Sequence, residues 1–214
     1  MVESYSDIIV IRHPVDGSAR YAAEIGNVPV INAGDGTNQH PTQTLLDIYT
    51  IKNSLGKLDN LSIGFIGDLK YGRTVHSLAY AMSHFNTKMV FISPEELRMP
   101  EHYLEELQER KVKFAEVEDL SKVSNQLDIL YVTRIQKERF SDLIEYERFK
   151  GTYRIDKNVL KICKPGIKIM HALPRVDEIS MDIDITKNAL YFEQARNGII
   201  IRQVLLALIL GAIK

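Results

Sequence analysis

The sequence predicts an α/β fold: open parallel sheets with helices on both faces. Two observations carry this. Short apolar runs, rich in β-branched residues, recur at residues 8–11 (IIVI), 28–31 (VPVI), 62–66 (SIGFI), 89–92 (MVFI), 129–132 (ILYV) and 167–170 (IKIM). Continuous apolar runs of that length suit strands buried on both faces, as in a parallel sheet. Between them, residues 41–52, 73–84, 100–109 and 142–149 carry apolar side chains at helical spacing. Strand and helix in alternation is the pattern of that class.

Taken in order, the first two runs and the helix at 41–52 come before residues 53–60 (NSLGKLDN), a polar, glycine-containing stretch that reads as a domain boundary. Strand–helix order restarts at Leu61. Two strands and one long helix make a poor independent core, so the first part is expected to be incomplete by itself. At the other end, residues 198–213 (GIIIRQVLLALILGAI) are apolar nearly all round. That predicts a helix surrounded by protein, although its partners are hard to find among the remaining residues. No internal repeat or low-complexity linker interrupts the chain.

Composition limits the function classes. The chain has 214 residues, a net charge of −1 and a pI of about 6.6. A strong field for nucleic acid is absent, while a local basic pocket remains compatible with these values. The single cysteine, Cys163, excludes an internal disulfide and a cysteine-rich zinc site. No basic-then-apolar leader opens the sequence, and the uncharged apolar run at 204–213 is too short to span a bilayer. The expectation is a cytoplasmic protein with no membrane or nucleic-acid partner.

Five polar clusters follow predicted strands. Arg12-His13-Pro14 ends the first, where open α/β sheets bind ligands, although a lone arginine there equally fits a surface position. Residues 32–44 (NAGDGTNQHPTQT) join a glycine-containing loop to a helix whose first turn suits Pro41. His40 and Gln43 lie at that helix N-terminus, a ready anion site, with a capping or packing histidine as the ordinary reading. Residues 67–74 (GDLKYGRT) match neither G-x-G-x-x-G nor a P-loop, yet place Arg73 near a helix N-terminus. In residues 131–139 (YVTRIQKER), Arg134 and Gln136 point the same way if the strand continues, and Lys137, Glu138 and Arg139 read as a solvated face. Residues 171–179 (HALPRVDEI) contain Leu173-Pro174, a candidate cis peptide exposing a backbone carbonyl. Together the three arginines, His40 and Gln43 describe a site for a small polyanion.

These five stretches, in this order, resemble the aspartate carbamoyltransferase catalytic chains, and the resemblance runs over essentially the whole sequence. It implies a Rossmann-like aspartate-binding domain at residues 56–195, a partial carbamoyl phosphate-binding domain at 1–55, and a C-terminal helix at 196–214 returning to the latter. It implies that Arg12, His40 and Gln43 hold carbamoyl phosphate, with the backbone of Leu173 and Pro174. Arg73 and Arg134 would grip the carboxylates of aspartate and Gln136 would orient it, guanidinium forks being matched to carboxylates. Arg12 and His40 would also be the catalytic donors to the developing oxyanion.

No metal or organic cofactor is implied. Family members form homotrimers, some joined by regulatory chains. They also carry a preceding S-T-R-T loop and a lysine-bearing loop that reaches a neighbouring subunit's site. Neither is found here, so the resemblance implies an N-terminally shortened chain whose turnover stays open. Two other readings remain: a transcarbamoylase for another amine such as ornithine, against which TRIQKER and HALPR argue, and a non-catalytic aspartate-binding or assembly chain. A nucleotide-binding Rossmann domain is disfavoured by the missing glycine fingerprint.

Overall fold

The computed structural model describes residues 1–135, 142–149 and 151–213. Its first part contains β1 (Ile9–His13), α1 (Ser18–Ile25), β2 (Val30–Asp35) and α2 (Pro41–Leu55). The second contains β3 (Leu61–Ile66), α3 (Arg73–Met82), β4 (Thr87–Ile92), α4 (Glu101–Glu109), β5 (Lys113–Val117) and β6 (Ile129–Val132). It continues through α5 (Leu143–Phe149), α6 (Lys157–Ile162), β7 (Lys168–Met170) and α7 (Tyr191–Ile209).

Strands β1 and β2 pair in parallel, Ile9 opposite Val30. The other five form a wholly parallel sheet in the order β5-β4-β3-β6-β7. The chain winds outward from β3 to β5, then returns to the middle and winds the other way through β6 and β7. The loops leaving β3 and β6 therefore diverge to opposite faces and leave a crevice at their carboxyl ends.

Burial explains why these strands read as unbroken apolar runs. Neighbouring residues of one strand feed opposite cores: Phe65 and Tyr131 join one apolar cluster, while Ile66, Leu130 and Val132 join the other. The first cluster also takes Ile51 of α2 and Val75, Leu78 and Met82 of α3. Full burial of each such side chain stabilises the fold by roughly 1.5–3 kcal/mol.

Three elements escape the sequence pattern. Strand β5 lies at the sheet edge with only partial burial, so no apolar run marks it. Helices α1 and α6 are short, eight and six residues, and α6 depends on a cap: Asp156 accepts from the N–H groups of Asn158 and Val159. Helix α2 runs three residues into the stretch read as a boundary and stops where Gly56 takes φ +72°.

Helix α7 starts seven residues before the predicted apolar stretch, and the partners that its outer half lacks in the sequence are not found among the described residues either. Its buried residues are Tyr191, Gln194, Asn197 and Gly198, all in the first half; the last three pack against α2, and Tyr191 joins the second apolar cluster. Gly198 permits this approach, since a Cβ there would lie 3.2 Å from Leu46. Further along, Ile199, Ile200, Val204, Leu206 and Leu208 are exposed, as is Val10 of β1.

Apolar surface arranged in this way drives self-association or dye binding. The purified chain is expected to enhance ANS fluorescence and to scatter above monomer mass as its concentration rises. A monodisperse, ANS-silent monomer in light scattering would contradict this.

Candidate active site

The crevice is shaped by two loops that nearly touch. Gly67, at φ +117° after β3, lies so close to the backbone of Thr133 after β6 that a Cβ would come within 2.2 Å of the Thr133 carbonyl oxygen. Only glycine fits both that conformation and that contact. The β3 loop is braced by the Asp68 carboxylate, which accepts from the Tyr71 N–H at 2.9 Å. It delivers Arg73 to the first turn of α3. Arg134 follows β6 directly.

The small sheet supplies the facing wall. Arg12 stands near the end of β1. At the end of β2, the Asp35 carboxylate accepts from the backbone N–H groups of Gly17 and Gln39 and from the side-chain amides of Asn32 and Asn38. Burial alone would raise its pKa, but these donors hold it below the usual carboxylate range. The loop so fixed ends at His40, the N-cap of α2, with Pro41 in the first turn. Gln43 lies one turn further on.

Direct contacts join the walls. Arg73 donates through Nη1 to the Gly36 carbonyl at 2.9 Å. Gly34, at φ +117°, leaves room for this, because a Cβ would stand 2.9 Å from the Arg73 guanidinium carbon. The His40 N–H donates to Ser77 Oγ on α3, which donates in turn to Gln39 Oε1.

The floor comes from the loop after β7. His171 Nδ1 accepts from the Leu173 N–H at 2.8 Å, so its proton sits on Nε2 and is donated to Glu178 at 2.7 Å. Glu178 also accepts from the N–H groups of Val176 and Asp177. Burial opposes its ionisation, yet these donors keep its carboxyl below the usual range. Within the loop Leu173 adopts φ +54° and Leu173-Pro174 is cis.

Between these walls lies a cleft of about 200 Å³. Arg12, His40 and Gln43 line one side and Arg73 and Arg134 the other, with Leu173 and Pro174 beneath. Every residue singled out from sequence is thus brought together except Gln136, which lies outside the described residues. Three guanidiniums and no carboxylate are among the lining residues described, so the cleft is a basin of positive potential suited to small anions. His40 feels both its burial and this field. Desolvation first, then the charges of Arg73, Arg12 and Arg202, push its pKa down to about 4. Its Nδ1 is buried with no hydrogen-bond partner among the described residues.

Comparison with known proteins agrees with this arrangement. The family model described as "Aspartate/ornithine carbamoyltransferase, Asp/Orn binding domain" matches residues 59–209. The companion "carbamoyl-P binding domain" model matches residues 1–53. The chain belongs to the aspartate/ornithine carbamoyltransferase family. It is 58% identical over 212 residues to the aspartate carbamoyltransferase catalytic subunit of Thermococcus kodakarensis, covering 99% of this chain and 68% of that one.

Among solved structures, the catalytic subunit of M. jannaschii aspartate transcarbamoylase superposes with a TM-score of 0.90 at 51% identity, over 99% of this chain and 69% of that chain. Aspartate transcarbamoylase from Trypanosoma cruzi, in complex with carbamoyl phosphate and aspartate, gives 0.90 at 38% identity, over 96% and 67%. The resemblance seen in the sequence and the fold of parallel α/β sheets with flanking helices are both upheld by these matches.

Sequence reasoning gave no role to Thr74, Thr133 and His171, which also line the cleft. His171 opened one of the polar clusters, but its pairing with Glu178 depends on a loop whose path no periodicity reveals. Asp47 was also passed over, although it stands four residues after Gln43 on the same face of α2.

The histidine supplies a test. A folded pKa near 4 against an ordinary 6.5 means that the neutral ring's contribution to stability is fully present above 6.5 and is lost as pH falls toward 4. NMR titration is expected to place the His40 midpoint near about 4. A midpoint near 6.5 would show that burial and the arginine field do not act on it as described.

Proposed function

We propose that this chain is an aspartate carbamoyltransferase catalytic chain, transferring the carbamoyl group of carbamoyl phosphate to the amine of L-aspartate. The products are N-carbamoyl-L-aspartate and phosphate, a step in pyrimidine synthesis. The observation that carries this reading is the convergence of two anion-matched groups on one cleft, Arg12, His40 and Gln43 facing Arg73 and Arg134.

In this reading Arg12, His40, Gln43 and the backbone of Leu173 and Pro174 hold carbamoyl phosphate. Arg73 and Arg134 take the carboxylates of aspartate, with Gln136 orienting it. The amine attacks the carbamoyl carbon, the C–O bond to phosphate breaks, and the departing phosphate takes the amine proton. A neutral His40 ring offers one N–H, which with Arg12 stabilises the carbamoyl oxygen as it gains negative charge. Most of the acceleration comes from holding two anionic reactants in line against their mutual repulsion.

The proposed division is a carbamoyl phosphate-binding part at 1–55, an aspartate-binding domain at 56–195 and a returning helix at 196–214. What supports it is the polar contact of α7 with α2 across the two parts. We take the exposed apolar faces to favour a homotrimer of the family's kind. The lone, buried Cys163 favours a cytoplasmic setting.

The test is a carbamoyltransferase assay on the purified 214-residue chain. Turnover with aspartate is expected, and Arg134→Ala or Arg12→Ala should lower kcat/KM by about a hundredfold or more, equivalent to ~2.7 kcal/mol. Carbamoylation of ornithine in preference to aspartate would refute the assignment. Binding of aspartate without any turnover would replace it with the non-catalytic reading.

A further inference from the structure

Behind the cleft, and touching none of its space, lies a carboxylate with no access to water. Asp47 of α2 is completely buried. Its Oδ1 accepts from Gln43 Nε2 at 2.9 Å and from Gln194 Nε2 at 2.7 Å, and its Oδ2 accepts from the Tyr131 hydroxyl at 2.9 Å. The three donors come from α2, α7 and β6. Each leads somewhere. Gln43 lines the cleft, Tyr131 lies in the strand that delivers Arg134, and Gln194 Oε1 accepts from the backbone N–H of His171 at 2.8 Å.

We propose that Asp47 is a positioning residue for the transferase site: its carboxylate fixes the Gln43 amide at the cleft and, through Gln194, sets the start of the 171–174 loop at the floor. The proposal rests on the reading that Gln43 meets carbamoyl phosphate.

The chemistry is directional. An ionised carboxylate accepts from all three donors, and engaging one N–H of Gln43 leaves its second N–H and its Oε1 for the cleft. A protonated Asp47 can donate from Oδ2 to the Tyr131 oxygen once that hydroxyl turns its own proton away, while Oδ1 is left as a neutral acceptor for both glutamines. Protonation therefore removes the charge that strengthens the bonds to Gln43 and Gln194 and loosens their hold.

Burial raises the pKa of Asp47 to about 7, against the lowering effect of its three hydrogen-bond donors and the charge of Arg202 on α7. Tyr131 and His40, which also face this network, stay in one state around neutrality. Tyr131 of β6 is pushed well above its usual value by burial and by Asp47, and His40 at the head of α2 is neutral down to about 4. His171 is held through its proton on Nε2 by Glu178.

Asp47→Asn tests this without opening a cavity. The amide keeps an oxygen for the two glutamines and turns a donor toward Tyr131, whose hydroxyl also accepts, so the variant mimics the protonated state. Carbamoyl phosphate and succinate affinities would be measured by calorimetry from about pH 5.5 to about pH 8.5, taking the variant-to-parent ratio so that ligand ionisation cancels. For carbamoyl phosphate the ratio is expected to approach one at the acid end and rise to about tenfold at the alkaline end, the size of the difference between a charge-assisted and a neutral hydrogen bond. For succinate it should stay close to one.

Thermal denaturation supplies a companion signal of opposite sense. A carboxyl whose folded pKa lies above 3.8 contributes stability that is present below 3.8 and lost as pH rises through about 7, and Asp47→Asn should remove that loss. A carbamoyl phosphate ratio that stays flat with pH, or equal losses for both ligands, would overturn the positioning role. Arg12→Ala separates the two readings. If it too leaves carbamoyl phosphate affinity intact, the site assignment fails and this proposal with it; if it weakens binding while the Asp47→Asn ratio is flat, only the role of Asp47 falls.

Discussion

Among the described residues all seven strands run parallel to their neighbours, and this constraint organises the molecule. A parallel strand cannot turn back on itself, so each hands the chain to a crossover, and all the strands of a sheet finish at the same edge. In the larger sheet the winding reverses between β3 and β6, which opens the one edge position where two loops can part. The smaller sheet presents its own strand ends, bearing Arg12 and the Asp35 loop, toward the same place. Arg73 and His40 reach across through hydrogen bonds to Gly36 and Ser77.

Buried polar contacts, beside the apolar packing of Ile51, join the two parts. Helices α2 and α7 meet through Asp47 with Gln194 and through Thr50 with Asn197. Groups of this kind tolerate burial only when each finds its partner, so they specify one arrangement where an apolar seam would tolerate several. That the same contacts lead to Gln43 and His171 means that the support of the cleft and the joint between the sheets are one structure.

Much of this was legible in the sequence because the physics is local. Runs such as SIGFI and ILYV announce strands buried on both faces, and Phe65 beside Ile66 shows why alternation is absent. Polar residues placed directly after such runs, Arg12, Arg73 and Arg134 among them, could be assigned to one crevice from topology alone. What remained hidden was either marginal or non-local. Strand β5 has too little buried surface to leave a pattern, and α6 relies on a single aspartate cap. The role of Asp47 depends on Gln194, 147 residues away, and no spacing rule connects them.

Helix α7 reverses the usual arrangement of a surface helix. Its inner contacts are the polar ones, and its greasy side chains face outward along the second half. Hydrogen bonds and apolar burial respond differently to temperature, since the hydrophobic driving force fades on cooling. The hydrogen-bonded part of the joint within the chain should therefore be less affected by cold than any association built on the outer half of α7. An assembly resting on that surface would loosen on chilling, while the hydrogen bonds between α2 and α7 stay in place.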